Sequence, residues 1–206
     1  MILERVVVGS FGANCYILGD EKTKEAVIVD PGQDGKSILA TVNKHNLNVK
    51  YIILTHAHGD HIGALDVVKS ETKAPIYIHG DDEGMLKDKN RNFTSMMGGK
   101  AIEMGPDELL NDGDVLKIGD IELTIIHTPG HSRGGICIHT GDTLISGDTL
   151  FAGSIGRTDL EGGDYGQLIQ AVKQKLLPLD DSTKVLPGHG PSSTIGRERQ
   201  SNPFLT

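Results

Sequence analysis

The chain has 206 residues, of which 37% are hydrophobic and 23% are charged, so we expect one domain over residues 1–206 around a single substantial core. Its formal net charge is −8 and it contains no run of lysine or arginine, which makes duplex nucleic acid and an anionic membrane poor candidates for a partner. Since the sequence also shows no signal-like N-terminus and no apolar run near the ~18 residues of a membrane span, we expect a soluble, cytoplasmic protein.

The first half of the chain alternates predicted strands with predicted helices, which is typical of an α/β architecture. Short apolar segments bounded by turn residues predict strands at residues 4–8, 14–18, 26–30, 50–54 and 75–79, and we expect the first three to form an antiparallel meander. Apolar residues at helical spacing predict helices at residues 37–46, from about His61 onward, and at residues 81–87.

The second half predicts two strand pairs, one long helix and a last strand. The predicted strands are residues 115–118, 121–126, 136–138, 143–146 and 184–186. Residues 165–177 form the clearest amphipathic helix, which Pro178 ends, and we interpret the residues from Ile195 onward as a short tail. Residues 90–105 suit either a loop or mobile cap beside a pocket or a solvated connection.

The strand predicted at residues 50–54 leads into three histidines and an aspartate. His56 and His58 are two residues apart, so in an extended segment both imidazoles point the same way and can bind one cation. Asp60 and His61 follow a glycine that permits a sharp turn, and they can face a second cation. Imidazole and carboxylate ligands without cysteine argue for an open, reactive metal site and against a closed structural zinc site.

Three further ligand-type residues stand just past predicted strands. These residues are His131, Asp148 and His189, and we expect them to meet the first loop at one edge of the fold. Asp30 ends an earlier strand before Pro31, where it is either a turn-initiating residue or a support for the metal loop. Cys15 and Cys137 lie in apolar strand-like segments, so we interpret both as small core residues.

The segment Thr55-His56-Ala57-His58-Gly59-Asp60-His61 resembles the His-x-His-x-Asp-His signature of the metallo-β-lactamase-fold hydrolases. The resemblance implies an αββα sandwich that holds two divalent metal ions, with zinc favoured and iron or manganese as alternatives. It further implies that His131 completes a first metal site, His189 completes a second, and Asp148 bridges the two. In such a hydrolase Asp60 would also be catalytic, because it could orient the attacking hydroxide and assist proton transfer.

Residues 147–159, Gly-Asp-Thr-Leu-Phe-Ala-Gly-Ser-Ile-Gly-Arg-Thr-Asp, resemble the corresponding segment of glyoxalase II, the hydroxyacylglutathione hydrolases. Arg157 matches a basic position that contacts glutathione in that family, and its alternative role is a salt bridge to Asp159 or Asp164. Glyoxalase II also carries a C-terminal helical domain that has no counterpart in this sequence. We therefore expect hydrolysis of a small-molecule thioester such as S-lactoylglutathione, with relaxed recognition of the thiol.

Other functions compete with this one. A persulfide dioxygenase of the same fold would use His56, His131 and Asp148 to bind a single iron, and hydrolysis of another small ester is a further alternative. Asp148 argues against a β-lactam substrate, since zinc β-lactamases of this fold usually carry cysteine at that position. A nonenzymatic or RNA-binding role would leave seven ligand-type residues without a purpose. The acidic chain also shows no basic surface of the kind that binds RNA. The sequence leaves the oligomeric state open.

Overall fold

Two six-stranded β-sheets form the centre of the protein. The structure is a computed structural model that describes residues 1–97 and 100–206. The two sheets pack face to face, and helices cover the outer face of each sheet.

The first sheet has its strands in sequence order, antiparallel from β1 to β3 and parallel from β3 to β6. Its strands are β1 (Ile2–Val8), β2 (Ala13–Gly19), β3 (Glu25–Val29), β4 (Asn48–Ile53), β5 (Ile76–His79) and β6 (Glu108–Leu110). The helices of this half are α1 (Gly35–Lys44), α2 (Gly59–Ile62), α3 (Leu65–Thr72) and α4 (Glu83–Leu86), with 3₁₀ turns at Gly80–Asp82 and Thr94–Met96.

The second sheet has the order β14-β13-β10-β9-β8-β7 and is antiparallel except between β10 and β13. Its strands are β7 (Val115–Ile118), β8 (Ile121–His127), β9 (Ile136–Thr140), β10 (Thr143–Gly147), β13 (Lys184–Pro187) and β14 (Ser193–Thr194). A small hairpin of β11 (Leu150–Phe151) and β12 (Ser154–Ile155) follows β10. Helix α5 (Tyr165–Ala171) continues into a π-helical turn at Val172–Leu176, and α6 (Ile195–Ser201) is the last helix.

Three apolar cores lie between the four layers. One core packs α1 and α3 on the first sheet, the second lies between the two sheets, and the third packs α5 and its π-helical turn on the second sheet. The layer order is therefore helix, sheet, sheet, helix, which confirms the predicted αββα sandwich. No helix among the described residues is long and apolar enough to span a membrane.

Most predicted elements are confirmed, with displaced ends and a few errors. The opening meander is antiparallel as expected, and Cys15 and Cys137 are buried, free thiols. The helix predicted from His61 is two helices, α2 and α3, and the one predicted at residues 81–87 begins with a 3₁₀ turn. The interpretation of the residues from Ile195 as a tail was wrong, because they form α6 and bury Ile195 and Glu198.

Candidate metal centre

All seven predicted ligand residues come together where strands of both sheets end. His56 and His58 follow β4, and Asp60 and His61 lie in α2 directly behind them. The second sheet supplies the rest from the loops after three strands: His131 after β8, Asp148 after β10 and His189 after β13. The site therefore lies across the interface of the two sheets.

The first cluster consists of His56, His58 and His131. His131 Nε2 lies 2.9 Å from His58 Nδ1 and 3.3 Å from His56 Nε2. Zinc–nitrogen bonds of about 2.0–2.1 Å in a tetrahedral site require nitrogens about 3.3 Å apart, so this spacing fits one cation. The three rings are buried, and one nitrogen of each lies near the same point, where a single cation can bind all three.

The second cluster consists of Asp60, His61 and His189. His189 Nε2 lies 3.1 Å from Asp60 Oδ2 and 3.2 Å from His61 Nε2. His61 is fully buried, whereas Asp60 and His189 are partly exposed and face the opening of the site. One carboxylate and two imidazoles form a second ligand set that suits zinc, iron or manganese.

Asp148 lies between the two clusters. Its Oδ2 is 3.7 Å from His131 Nε2 in the first cluster and 3.7 Å from His189 Nε2 in the second, and its Oδ1 is 3.4 Å from His61 Nε2. Oδ1 is buried and has no hydrogen-bond partner among the described residues. An unpaired buried carboxylate oxygen is costly, so its position facing both clusters fits a carboxylate that bridges two cations.

Asp30 and Thr55 fix the orientation of two ligand histidines. The Asp30 carboxylate accepts hydrogen bonds from the Thr55 backbone N–H (2.7 Å) and hydroxyl (2.6 Å), and it contacts His61 Nδ1 at 3.0 Å. Because the Thr55 hydroxyl donates to Asp30, it is left to accept from His56 Nδ1, 3.1 Å away. Both imidazoles thus keep the Nε2 lone pair for the clusters. The structure confirms that Asp30 supports the metal loop, while Thr55 was not predicted to do so.

Backbone carbonyls fix two more ligand histidines in the same way. His131 Nδ1 donates to the Arg157 carbonyl at 2.8 Å, and His189 Nδ1 donates to the Phe11 carbonyl at 3.2 Å. A carbonyl oxygen can only accept, so Nδ1 carries the proton and Nε2 is free to bind a cation. The loop of His189 is itself held by the first sheet, since Asn14 Nδ2 and the Tyr16 hydroxyl both donate to the Pro187 carbonyl at 2.8 Å.

Buried positions and neighbouring charges shift the pKa values of the ligand residues. Burial lowers the pKa of His58 to about 3 and that of His56 well below its usual value, so both rings are neutral near pH 7. Burial alone would lower the pKa of His61 as well, but Asp148, Asp30 and Asp60 raise it to about 10. A divalent cation would take the place of that proton among the three carboxylates.

Asp60 is the charged group at the opening of the site. Burial raises its pKa, but the hydrogen bond with His189 and the charge of His61 outweigh this effect and lower the pKa well below its usual value. Asp60 is therefore an anion throughout the neutral pH range.

Two glycines allow the loops to approach this closely. Gly188 precedes His189, and a Cβ at this position would clash with Asp148 Oδ1 and the His61 ring. Gly147 precedes Asp148 with φ +48°, and a Cβ there would contact the Thr55 side chain. Larger residues at either position would separate the two halves of the site.

Asp82 connects two of the metal-binding loops from beneath. Its fully buried carboxylate accepts hydrogen bonds from the Ser132 hydroxyl and the Gly134 N–H, both at 2.7 Å, and it lies near enough to the Ala57 N–H for that dipole to lower its pKa. Ala57 lies between His56 and His58, and Ser132 follows His131. Burial raises the pKa of Asp82. No sequence pattern indicated this role, since an aspartate near the start of a predicted helix is typical of exposed positions.

A pocket of about 310 Å³ opens from the clusters to solvent. His58, Asp60, His131 and Asp148 form its floor, and its other lining residues are Phe11, Gly59, Phe93, Met96, Met97, Arg157 and Leu160. Residues 93–97 thus lie beside the pocket, as one interpretation of residues 90–105 predicted; Gly98 and Gly99 lie outside the described residues.

Arg157 lines the pocket, but its guanidinium binds a neighbour. Nε and Nη2 donate to the two carboxylate oxygens of Asp159 at 2.7 and 2.8 Å. Both side chains are more than half exposed. The structure therefore shows the salt bridge that was one of the two alternatives for Arg157, and contact with a substrate stays a prediction.

Residues 8–189 match the family model described as the metallo-beta-lactamase superfamily. The chain belongs to this superfamily. The superfamily includes metallo-hydrolases, and the two clusters provide this chain with candidate ligand residues for divalent cations.

Relatives at 35–41% identity align with this metallo-β-lactamase-fold chain over nearly its whole length. Hydroxyacylglutathione hydrolase GloC of Haemophilus influenzae is 36% identical, over 100% of this chain and 98% of the relative. The structure titled BLEG-1 B3 metallo-beta-lactamase is 41% identical, covers 100% of both chains and has a TM-score of 0.93. TTHA1623 in a di-iron-bound form is 35% identical, covers 98% of this chain and 100% of its own, and has a TM-score of 0.84.

Proposed function

We propose that the protein hydrolyses small-molecule acyl thioesters, such as S-lactoylglutathione, with two divalent cations. The observation that carries the proposal is the pair of ligand clusters, joined by Asp148, at the floor of a pocket of about 310 Å³. Cations held there would lower the pKa of bound water to about 7 and polarise the thioester carbonyl.

The side chains of this site would orient the reactants and move one proton. Asp60 Oδ2 faces the pocket and is an anion near neutral pH, so it can accept a proton from the attacking water. As the new carbon–oxygen bond forms and the carbon–sulfur bond breaks, that proton can pass to the leaving thiolate. The hydrogen bonds that the ligand histidines donate through Nδ1 to Asp30, Thr55 and two backbone carbonyls keep their rings in place during the reaction.

Relatives support both parts of the proposal. GloC, at 36% identity, is named a hydroxyacylglutathione hydrolase, and TTHA1623 holds two irons in the same fold. We therefore propose a dinuclear site here, with zinc as the favoured metal and iron or manganese as alternatives. We also propose that the partners are small molecules, since the net charge of −8 disfavours nucleic acid and anionic membranes.

The test is release of free thiol from S-lactoylglutathione by protein reconstituted with zinc, iron or manganese. We expect turnover that depends on added metal and falls by at least about 100-fold in Asp60→Ala. Asp180→Asn, which changes an exposed carboxylate far from the clusters, is the matched control and should keep full activity. Metal-loaded protein that cleaves no thioester would overturn the proposal.

Two competing activities belong in the same experiment. His56, His131 and Asp148 lie close enough to form a two-histidine, one-carboxylate iron site, so oxygen uptake with glutathione persulfide tests the dioxygenase alternative. The similarity to BLEG-1 makes a chromogenic β-lactam the second comparison. We expect kcat/KM for the thioester to exceed that for both competitors.

A further inference from the structure

Besides the metal-facing residues, the pocket is lined by five apolar side chains. This surface, called here the apolar wall, consists of Phe11, Phe93, Met96, Met97 and Leu160. Phe11 is 62% exposed and Met96 is 73% exposed, although both are large apolar side chains. Exposed apolar residues that cluster at the mouth of a reactive site are typical of a ligand-binding surface.

The apolar wall is built from segments that are held in place. Phe11 belongs to the turn between β1 and β2, and its backbone carbonyl accepts a hydrogen bond from His189 Nδ1. The segment of Phe93 and Met96 is anchored by Asn92, a fully buried residue whose side-chain amide donates to the carbonyls of Met85 and Ile102. Phe11 and Phe93 are therefore held beside the clusters, with Phe11 largely exposed and Phe93 partly buried.

Phe93 adopts a backbone conformation that side chains rarely accept. Its φ is +65°, and its ring lies 5.7 Å from the ring of His58 in the first cluster. Non-glycine residues with positive φ tend to occur where the surrounding structure holds a side chain in a functional position. The conformation directs Phe93 to the pocket, next to the metal-binding histidine.

The charges around the pocket disfavour an anionic group at the apolar wall. Among the described residues that line the pocket, Arg157 is the one arginine or lysine, and Asp159 binds two nitrogens of its guanidinium. A substrate that buries a carboxylate here would lose its hydration without gaining a free cation.

We propose that the apolar wall is an acyl-binding subsite, and that the preferred substrates are thioesters of unbranched aliphatic acyl groups longer than acetyl. This inference rests on the proposed thioesterase function and names the part of the substrate that the wall recognises. With the carbonyl at the clusters, the acyl chain and the thiol leave the reaction centre in different directions. Carrier thiols are polar and need solvent, so the apolar wall fits the acyl chain.

The test is a series of acetyl, butyryl, hexanoyl and octanoyl thioesters of one uncharged thiol, N-acetylcysteamine. We expect kcat/KM to rise about threefold per methylene until the pocket is filled, as partial burial of each methylene predicts. Phe11→Ala and Met96→Ala should flatten this dependence. Val115→Ala is the matched control, because Val115 is also an exposed apolar residue (48%) but lies on β7, outside the pocket, and should leave the dependence unchanged.

Failure of this inference can be distinguished from failure of the proposed function. Cleavage of all chain lengths at similar rates would overturn the acyl subsite and leave the thioesterase function in place. If kcat/KM rose with the apolarity of the thiol in thioesters that share one acyl group, the acyl subsite would likewise be overturned. If no thioester were cleaved, calorimetric binding of octanoate and acetate would decide, since equal affinity for the two carboxylates would rule out the subsite.

Discussion

At the scale of single residues, the metal-facing lone pairs depend on hydrogen bonds made on the other side of each imidazole ring. The Thr55 hydroxyl is central to this arrangement, because it accepts from His56 Nδ1 and donates to Asp30, which in turn contacts His61 Nδ1. One hydroxyl thereby couples a ligand of the first cluster to a ligand of the second. A satisfied buried network of this kind fixes both ring orientations.

Thr55→Val should therefore weaken metal binding without removing a ligand. Valine has nearly the shape of threonine but leaves His56 Nδ1 and Asp30 without their shared partner, so we expect metal affinity to fall about 10–100-fold. Competition with a chromogenic chelator measures this affinity. Thr55→Ser keeps the hydroxyl and should bind metal within about threefold of the unmodified protein. Unchanged metal affinity in Thr55→Val would show that the hydrogen bonds of the hydroxyl do not control metal binding.

The role of Arg157 can be decided at the same scale. Because Asp159 already binds its Nε and Nη2, we expect Arg157→Ala to raise KM for S-lactoylglutathione by less than about fivefold, the range of an exposed ion pair. Loss of a direct charge-assisted bond to a substrate carboxylate would raise KM by about tenfold or more. Asp159→Asn frees the guanidinium and should lower KM for this substrate. A tenfold rise in Arg157→Ala would contradict the expectation.

At the scale of elements, the loops after β4 and β8 are tied together by one buried carboxylate. Asp82 accepts from Ser132 and Gly134 in the second loop and lies beside the Ala57 N–H in the first, so it helps to set the distance between His56, His58 and His131. Its 3₁₀ turn follows β5 directly.

Asp82→Ala should destabilise the fold and weaken the first cluster. The substitution leaves the buried donors of Ser132 and Gly134 unpaired, and we expect the free energy of unfolding to fall by about 2–4 kcal/mol, measured by urea denaturation. Ser132→Ala removes one donor together with its bond and should cost only about 1 kcal/mol. If metal affinity were unchanged in Asp82→Ala while stability fell, the carboxylate would support the fold but not the site.

The elements with a strong local pattern were predictable from the sequence, and those that depend on distant partners were not. β4 and β8 are apolar, bounded by turn residues, and were predicted within a few residues. β6 is a three-residue strand, Glu-Leu-Leu, whose strand pairing with β5 has no signal in its own sequence. Helix α6 has the polar sequence Ile-Gly-Arg-Glu-Arg-Gln-Ser, which shows no apolar periodicity. Its Glu198 bonds to Gly153, which is distant in sequence, and to Asn202, and the hydrophobic pattern predicts neither bond.

At the scale of the whole molecule, the site exists because two sheets end at the same edge. The His-x-His-x-Asp-His segment identifies four of the candidate ligands locally. The positions of His131, Asp148 and His189 just past predicted strands suggested that they join these four, but their individual roles came only from the resemblance to a known family. Their convergence depends on the order β13-β10-β9-β8 in the second sheet, which strand patterns alone do not determine. The apolar wall was not predicted, since Phe11 and Met96 lie in separate loops without periodicity.

Removal of metal should therefore loosen the contact between the two sheets. The first cluster joins the loop after β4 in the first sheet to the loop after β8 in the second. At a free metal concentration of about 100 times the Kd, a cation bound there adds about 2.7 kcal/mol to the free energy of unfolding. For a chain of this size we expect chelation to lower the Tm by about 5–10 °C in a thermal melt, and the shift should shrink at lower metal concentration. Asp148→Asn removes the carboxylate between the clusters, so chelation should lower the Tm of this variant by only a fraction of that amount. Identical Tm values with and without chelator, in protein shown to bind metal, would mean that the ions bind without stabilising the sandwich.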